Sequence, residues 1–227
     1  ESFKTGVKKL CFLGSSCIYP RACPQPIKEE YFMTGPLEPS NEGYAIAKIA
    51  GHKLCLYYTQ EHGMSTISLM PCNLYGKNDD FNLETSHVFS ALVKRFCDAA
   101  DEGKDEVVLW GSGAPLREFL HADDAAAATL HLMLTHNDPD FINIGPGEEI
   151  SIKALAEKIA AHTGFKGRIT WDKSKPDGMP RKVMDVSKMR SLGFSPKISV
   201  DEGVRLLTAE YREVKAMGLT KRLRTDR

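Results

Sequence analysis

Leu10-Cys11-Phe12-Leu13-Gly14-Ser15-Ser16-Cys17-Ile18-Tyr19-Pro20, an apolar run ending in a serine-rich turn, is followed downstream by Tyr44-Ala45-Ile46-Ala47-Lys48. The first stretch has the character of a buried parallel strand, Val7 to Leu13. The second lies in a helix that Ser40 or Asn41 can cap, starting near Glu42, running to about His62 and stopped by Gly63. A tyrosine and a lysine at i and i+4 share one helix face. A phenol titrates near ~10 and is a poor acid-base catalyst at neutral pH until a nearby ammonium stabilises the phenolate. A serine hydroxyl at the strand end can complete a proton-donating group with them. Alone, the Tyr–Lys spacing is common by chance. Joined to Ser15-Ser16 and to Pro71-Cys72-Asn73-Leu74-Tyr75-Gly76, it is specific.

Outward from these segments, strands alternate with helices. Pro20 to Pro39 is proline-rich and must be irregular. Thr66 to Met70 reads as a second strand, expected to pair in parallel with the first. His87 to about Ala100 is helical, with Val88, Ala91, Leu92 and Phe96 at helical spacing, and Val107 to Trp110 is a short strand. Asp123 or Asp124 caps an alanine-rich helix to about Leu134, and Phe141 to Ile144 is a core strand. From Ser151 come a capped helix to about His162, a strand at Arg168 to Trp171 and two more helices. The alternation predicts an α/β fold with a parallel sheet.

The 227 residues suffice for one large or two small domains. Lysine plus arginine, 30, equals aspartate plus glutamate, 30, so no global field favours nucleic acid. No apolar run reaches the ~18 residues of a membrane span, and Glu1-Ser2-Phe3-Lys4 lacks signal-peptide architecture. Cys11, Cys17, Cys23, Cys55, Cys72 and Cys97 form no CxxC pair, which points to a reducing, cytoplasmic compartment. His121-Ala122-Asp123-Asp124 has no convergent third ligand in the sequence; the aspartates read as cap and dipole partners, and no metal is expected.

The motifs together resemble the extended short-chain dehydrogenase/reductase family and, within it, the GDP-L-fucose synthase branch. The matching segments are Gly14 to Pro20, Tyr44 to Gly51, Pro71 to Gly76, Ser86-His87-Val88, Trp110 to Gly113, Leu116 to His121 and Lys175 to Lys182. The Ser-Ser-Cys-Ile-Tyr-Pro turn and the Lys-Pro-Asp-Gly loop carry the resemblance to the fucose-forming branch. It implies a C-terminal part of a Rossmann-like doubly wound sheet plus a smaller α/β substrate domain. Residues 1–78, with 115–146 returning, would form a partial NADP-binding domain; 79–114 and 147–227 would bind the GDP-sugar. The implied reaction is NADPH-dependent conversion of GDP-4-keto-6-deoxy-D-mannose to GDP-L-fucose by 3,5-epimerisation and 4-reduction, in a homodimer.

The same resemblance assigns roles. Ser15, Tyr44 and Lys48 would be the reductase triad. Cys17 and His87 would be the acid-base pair of epimerisation, although a free cysteine is otherwise often a small buried hydrophobe. The nicotinamide end would be lined by Leu13, Gly14, Ser15, Ser16 and Lys48. Pro71, Cys72, Asn73, Leu74 and His87 would complete it. Arg95, Trp110, Arg117, Asp177 and Lys182 would surround the GDP-sugar, guanidinium suiting phosphate and tryptophan suiting a ring.

One element of the fold is missing. A dinucleotide-binding domain opens with strand, glycine-rich turn and helix. The nearest sequence, Thr163-Gly164-Phe165-Lys166-Gly167, follows a helix and precedes a strand, and reads as a C-cap and turn. By resemblance, roughly ninety residues of the family's sheet precede Glu1. The chain alone is therefore expected to be inactive, to bind NADPH weakly and to expose the edge of its first strand. Two other readings stay open: another nucleotide-sugar epimerase or dehydratase of the superfamily, or an inactive sugar-nucleotide-binding fragment.

Overall fold

A computed structural model describes residues 1–218. In chain order the elements are β1 (Lys9–Leu13), α1 (Glu42–His62), β2 (Ser65–Pro71), β3 (Asn73–Tyr75), α2 (Val88–Asp101), β4 (Glu106–Trp110), β5 (Leu116–Arg117) and β6 (Phe119–His121). Then follow α3 (Ala122–Thr135), β7 (Ile142–Ile144), β8 (Ile150–Ser151), α4 (Ile152–Thr163), β9 (Arg168–Asp172), β10 (Arg181–Lys182), α5 (Ser187–Ser191) and α6 (Val200–Ala216). The chain divides into two compact units. The first holds Glu1–Leu74, Glu118–Glu149 and Arg181–Lys197; the second holds Tyr75–Arg117, Ile150–Pro180 and Ile198 onward.

In the first unit β1, β2 and β7 form a parallel sheet in the order β1-β2-β7, with Cys11 opposite Ile67 and Leu69 opposite Ile142. Thr66 through Pro71 are all buried, so both faces of β2 are covered, as a parallel sheet requires. α1 and α3 both pack on this strand. α1 lies close because residue 51 is glycine: a Cβ there would run into the Phe12 ring. Its end is fixed as expected by Gly63, whose φ of 65° is left-handed. Leu69, Met70, Leu120, Leu132, Ile142 and Ile144 are buried in one core, each stabilising the fold by about 1.5–3 kcal/mol relative to exposure.

Two caps differ from expectation. Asn41 is the N-cap residue of α1, yet its side chain makes no cap hydrogen bond. α3 starts before Asp123: His121 is its N-cap, and its Nδ1 accepts from the Asp123 N–H at 3.2 Å. The Asp124 carboxylate instead accepts from the Lys197 N–H at 3.0 Å.

The segment 181–197, expected in the smaller domain, belongs to the first unit. Backbone bonds tie it there: Ile27 N–H donates to Val183 O and Asp185 N–H donates to Ile27 O, both at 2.8 Å. Asn143 fastens the same place, its Nδ2 donating to Ile27 O at 3.0 Å and Asp185 O at 3.1 Å. Tyr19 donates to Asn143 Oδ1 at 2.5 Å, which anchors the irregular proline-rich stretch to the sheet.

Glu118 is fully buried in this unit and accepts from the Gly147 N–H at 3.0 Å and the Met184 N–H at 2.7 Å. Burial raises its carboxyl to about 7 against the lowering effect of those donors. A raised carboxyl favours the folded state when protonated. Its stabilisation is complete below the ordinary carboxylate range, at 4.5, and is lost as pH rises through about 7. Urea melts should therefore show the stability of Glu118→Gln gaining on wild type by up to about 3 kcal/mol between pH 4.5 and 7.5. A constant difference across that range contradicts the assignment.

In the second unit β4 and β9 pair in parallel, with Val107 opposite Ile169 and Leu109 opposite Trp171. β5 and β8 pair antiparallel. α2, α4 and α6 pack on one another through buried Phe89, Phe96, Leu155, Ile159, Leu207 and Tyr211. Ser151 caps α4 as expected, accepting from the Ala154 N–H at 3.0 Å. Gly164, at φ 82°, ends that helix, so Thr163 to Gly167 is a cap and turn.

Candidate active site

The first unit assembles one group of side chains at the carboxyl ends of its strands, where open α/β sheets bind ligands. β1 ends at Leu13, and Gly14 N–H donates to Leu69 O at 2.8 Å. A Cβ at Gly14 would meet the Met70 sulfur, so a larger residue there would have to push the thioether aside. Ser15 then caps a short helical turn, its Oγ accepting from the Cys17 N–H at 3.2 Å. With Oγ acting as acceptor, the hydroxyl hydrogen remains available to an incoming oxygen.

α1 brings Tyr44 and Lys48 to the same turn. Lys48 Nζ donates to Leu13 O at 2.8 Å and lies 5.6 Å from the Tyr44 ring centroid. Tyr44 is 51% exposed, so its phenol is open to a ligand. Cys17 is half-buried, and its Sγ is approached by two donors, Asn41 Nδ2 at 3.1 Å and Lys182 Nζ at 3.6 Å. Lys182 thus lies against the thiol in the first unit.

Pro71 and Cys72 continue from the end of β2. The Cys72 N–H is taken by Ile144 O at 3.1 Å, and burial beside the Glu118 carboxyl pushes the thiol up. Asn73 is exposed, and its Nδ2 donates to Glu118 O at 2.9 Å. Ser16 is buried, while Leu13 and Leu74 are 49% and 37% exposed, unusual for leucines at strand ends.

In the second unit Ser112 and Asp177 come together beside Trp110. Asp177 accepts from Ser112 N–H at 2.6 Å and Ser112 Oγ–H at 2.7 Å, tying two loops together. The Ser112 N–H, followed by its hydroxyl, holds this carboxyl below its usual range. Gly111 adopts φ 80° where this carboxylate approaches, a position closed to a side chain. Beside it Trp110 is 69% exposed, with Lys175 Nζ 5.8 Å from its ring centroid. Arg117 donates from Nη1 to Leu116 O at 2.8 Å, and burial lowers its pKa. His87 is the exposed N-cap of α2, without a cap hydrogen bond, and Arg95 is half-buried on that helix.

Asn41, Glu118 and Ser112 were not singled out as site residues from the sequence. For Asn41 the available signal was its place three residues before Tyr44 and directly before α1. That position reads as a helix cap.

The model of the NAD dependent epimerase/dehydratase family matches residues 1–145. The chain belongs to that family. Among its relatives, GDP-L-fucose synthase 1 of Arabidopsis thaliana is 54% identical over 204 residues, covering 90% of this chain and 63% of the relative. GDP-L-fucose synthase of Escherichia coli K12 is 49% identical over 207 residues, covering 87% and 64%. The solved structure of a GDP-L-fucose synthetase from Naegleria fowleri bound to NADP is 31% identical, with a TM-score of 0.88 over 95% of this chain and 69% of that one. The chain thus spans 60–65% of the length of the first curated relatives it matches. The α/β architecture of the first unit includes a parallel sheet, and Ser15 follows the end of its first described strand, where Lys48 Nζ bonds Leu13 O.

Proposed function

We propose that the protein to which this chain belongs is an NADPH-dependent epimerase-reductase converting GDP-4-keto-6-deoxy-D-mannose to GDP-L-fucose. The observation carrying the reading is Ser15, Tyr44 and Lys48 at the end of β1 with the Cys17 thiol on the same turn. The triad suits reduction, whereas a thiol beside it suits removal or delivery of a proton at carbon. The relatives named GDP-L-fucose synthase support the choice of substrate.

The residues present fit a nicotinamide. Exposed Leu13 and Leu74 offer apolar surface, and Lys48 adds a donor beside them. Leu13 through Ser16, Lys48, Pro71 through Leu74 and His87 would hold that end of the cofactor. NADPH, when bound, supplies the hydride that reduces the C4 ketone.

The chain's own groups manage protons. A C4 ketone acidifies the hydrogens on C3 and C5. A base takes one of them, negative charge develops on the C4 oxygen, and an acid on the opposite face returns a proton to carbon, inverting the centre. Cys17 and His87 are proposed for these acid and base roles. Ser15 donates its free hydroxyl hydrogen to the charged oxygen. In the reduction, Tyr44 gives its phenolic proton to that oxygen and recovers one from solvent, while Lys48 steadies the phenolate. Arg95, Trp110, Arg117, Asp177 and Lys182 are proposed to hold the GDP-sugar. Asp177 does so as the brace of the loop carrying Trp110.

Exposed Ile46, Leu54 and Tyr57 on α1 support the homodimer proposal. The free cysteines support a reducing, cytoplasmic location. Among the described residues no helix is long and apolar enough to cross a membrane. The test is turnover by the full-length protein. One NADPH should be consumed per GDP-L-fucose released, and 4-epimerisation of a UDP-hexose without net NADPH consumption would overturn the reading.

A further inference from the structure

We infer that Asn41 is a positioning residue for the Cys17 thiol, setting the direction of proton transfer at the sulfur from the start of the helix that carries Tyr44. The inference rests on the epimerase-reductase reading and deepens it.

Asn41 occupies the N-cap position of α1, where asparagine ordinarily stabilises a helix by accepting a backbone N–H. Here it makes no such bond. Its Nδ2 donates to Cys17 Sγ at 3.1 Å, and its buried Oδ1 has no hydrogen-bond partner among the described residues. A buried carbonyl oxygen left unsatisfied costs stability, and the amide forgoes its capping role as well. The side chain is therefore committed to the sulfur rather than to the helix end.

Lys182 Nζ, at 3.6 Å, is a second donor to the same atom. With an amide and an ammonium both approaching, the sulfur acts as acceptor and its rotation is restricted. Asn41 is the N-cap of the helix that carries Tyr44 three residues on, so the thiol and the phenol are both referred to the start of α1. A proton-transfer group displaced by about 1 Å can lose ~10²-fold in rate. A restraint on Sγ thus bears on epimerisation directly, and on reduction only through the supply of epimerised ketone.

The test uses the full-length protein and follows loss of the substrate C3 and C5 hydrogens to deuterated solvent. Serine caps helices as well as asparagine does but lacks the amide donor. Asn41→Ser should melt no lower than wild type and keep the substrate KM while slowing exchange by ~10-fold or more. Asn41→Ala should slow exchange similarly in the wild-type background and have no further effect in Cys17→Ala, because residues acting through one group are not additive. Wild-type exchange in Asn41→Ser overturns the inference, as does an equal effect of Asn41→Ala with and without Cys17. Absence of exchange in the wild-type protein overturns the epimerase reading itself, and this inference with it.

Discussion

Replacing Tyr44 by phenylalanine should lower NADPH oxidation by the full-length protein by ~10²-fold or more. The change deletes one oxygen from a ring that is 51% exposed, so folding should be almost unaffected. What is lost is the phenol that stands beside Lys48. The hydride acceptor then develops negative charge on its oxygen with no proton to neutralise it, and Ser15 alone must bear that charge. Lys48 is held to Leu13 O at 2.8 Å, where its proposed role is to steady the phenolate rather than to replace the phenol. Steady-state NADPH consumption at saturating substrate checks this, and turnover near wild type would remove Tyr44 from the chemistry.

Cys17→Ser and His87→Asn should each slow exchange of the C3 or C5 hydrogens with solvent by ~10²-fold or more, while Tyr44→Phe retains more exchange than reduction. Both substitutions are structurally mild. Serine preserves an acceptor for Asn41 Nδ2, and asparagine is a favourable N-cap at the exposed start of α2. The loss therefore falls on proton transfer: a serine hydroxyl is a far weaker acid and base than a thiol near neutral pH, and an amide has no titrating nitrogen. Proton NMR in deuterated buffer separates the steps. If both variants exchange at the wild-type rate, Cys17 is a small packed thiol and His87 a helix cap.

The long elements were legible because their patterns are strong. β1, α1, β2 and α4 carry an apolar run, a helical period, a terminal glycine or a capping serine, each a local signal. β5, β8 and β10 are two residues each, too short for any period to appear. The spacing of Tyr44 and Lys48, proposed here as catalytic, was legible for the same reason: they lie one helical turn apart whatever the fold around them.

What was not legible depends on distant pairings. Lys182 lies 165 positions from Cys17 and meets it only because Arg181–Lys197 packs in the first unit. Glu118, between Arg117 and Phe119, looks like a surface charge, yet two backbone donors far along the chain receive it in the interior. Asn41 satisfies the sequence rule for a cap so well that its commitment to sulfur is hidden. His121 rather than an aspartate caps α3, its ring nitrogen accepting from the Asp123 N–H.

The central claim is that one site epimerises at two carbons and then reduces the ketone between them. It is tested most directly by turning over GDP-4-keto-6-deoxy-D-mannose with NADPH and the full-length protein in deuterium oxide, then locating the label in the product sugar by NMR. The account predicts GDP-L-fucose carrying deuterium at both C3 and C5, delivered from exchanged acid groups, with the C4 hydrogen coming from the cofactor. A reduced sugar retaining protium and the original configuration at C3 and C5 would contradict it, leaving a simple ketone reductase.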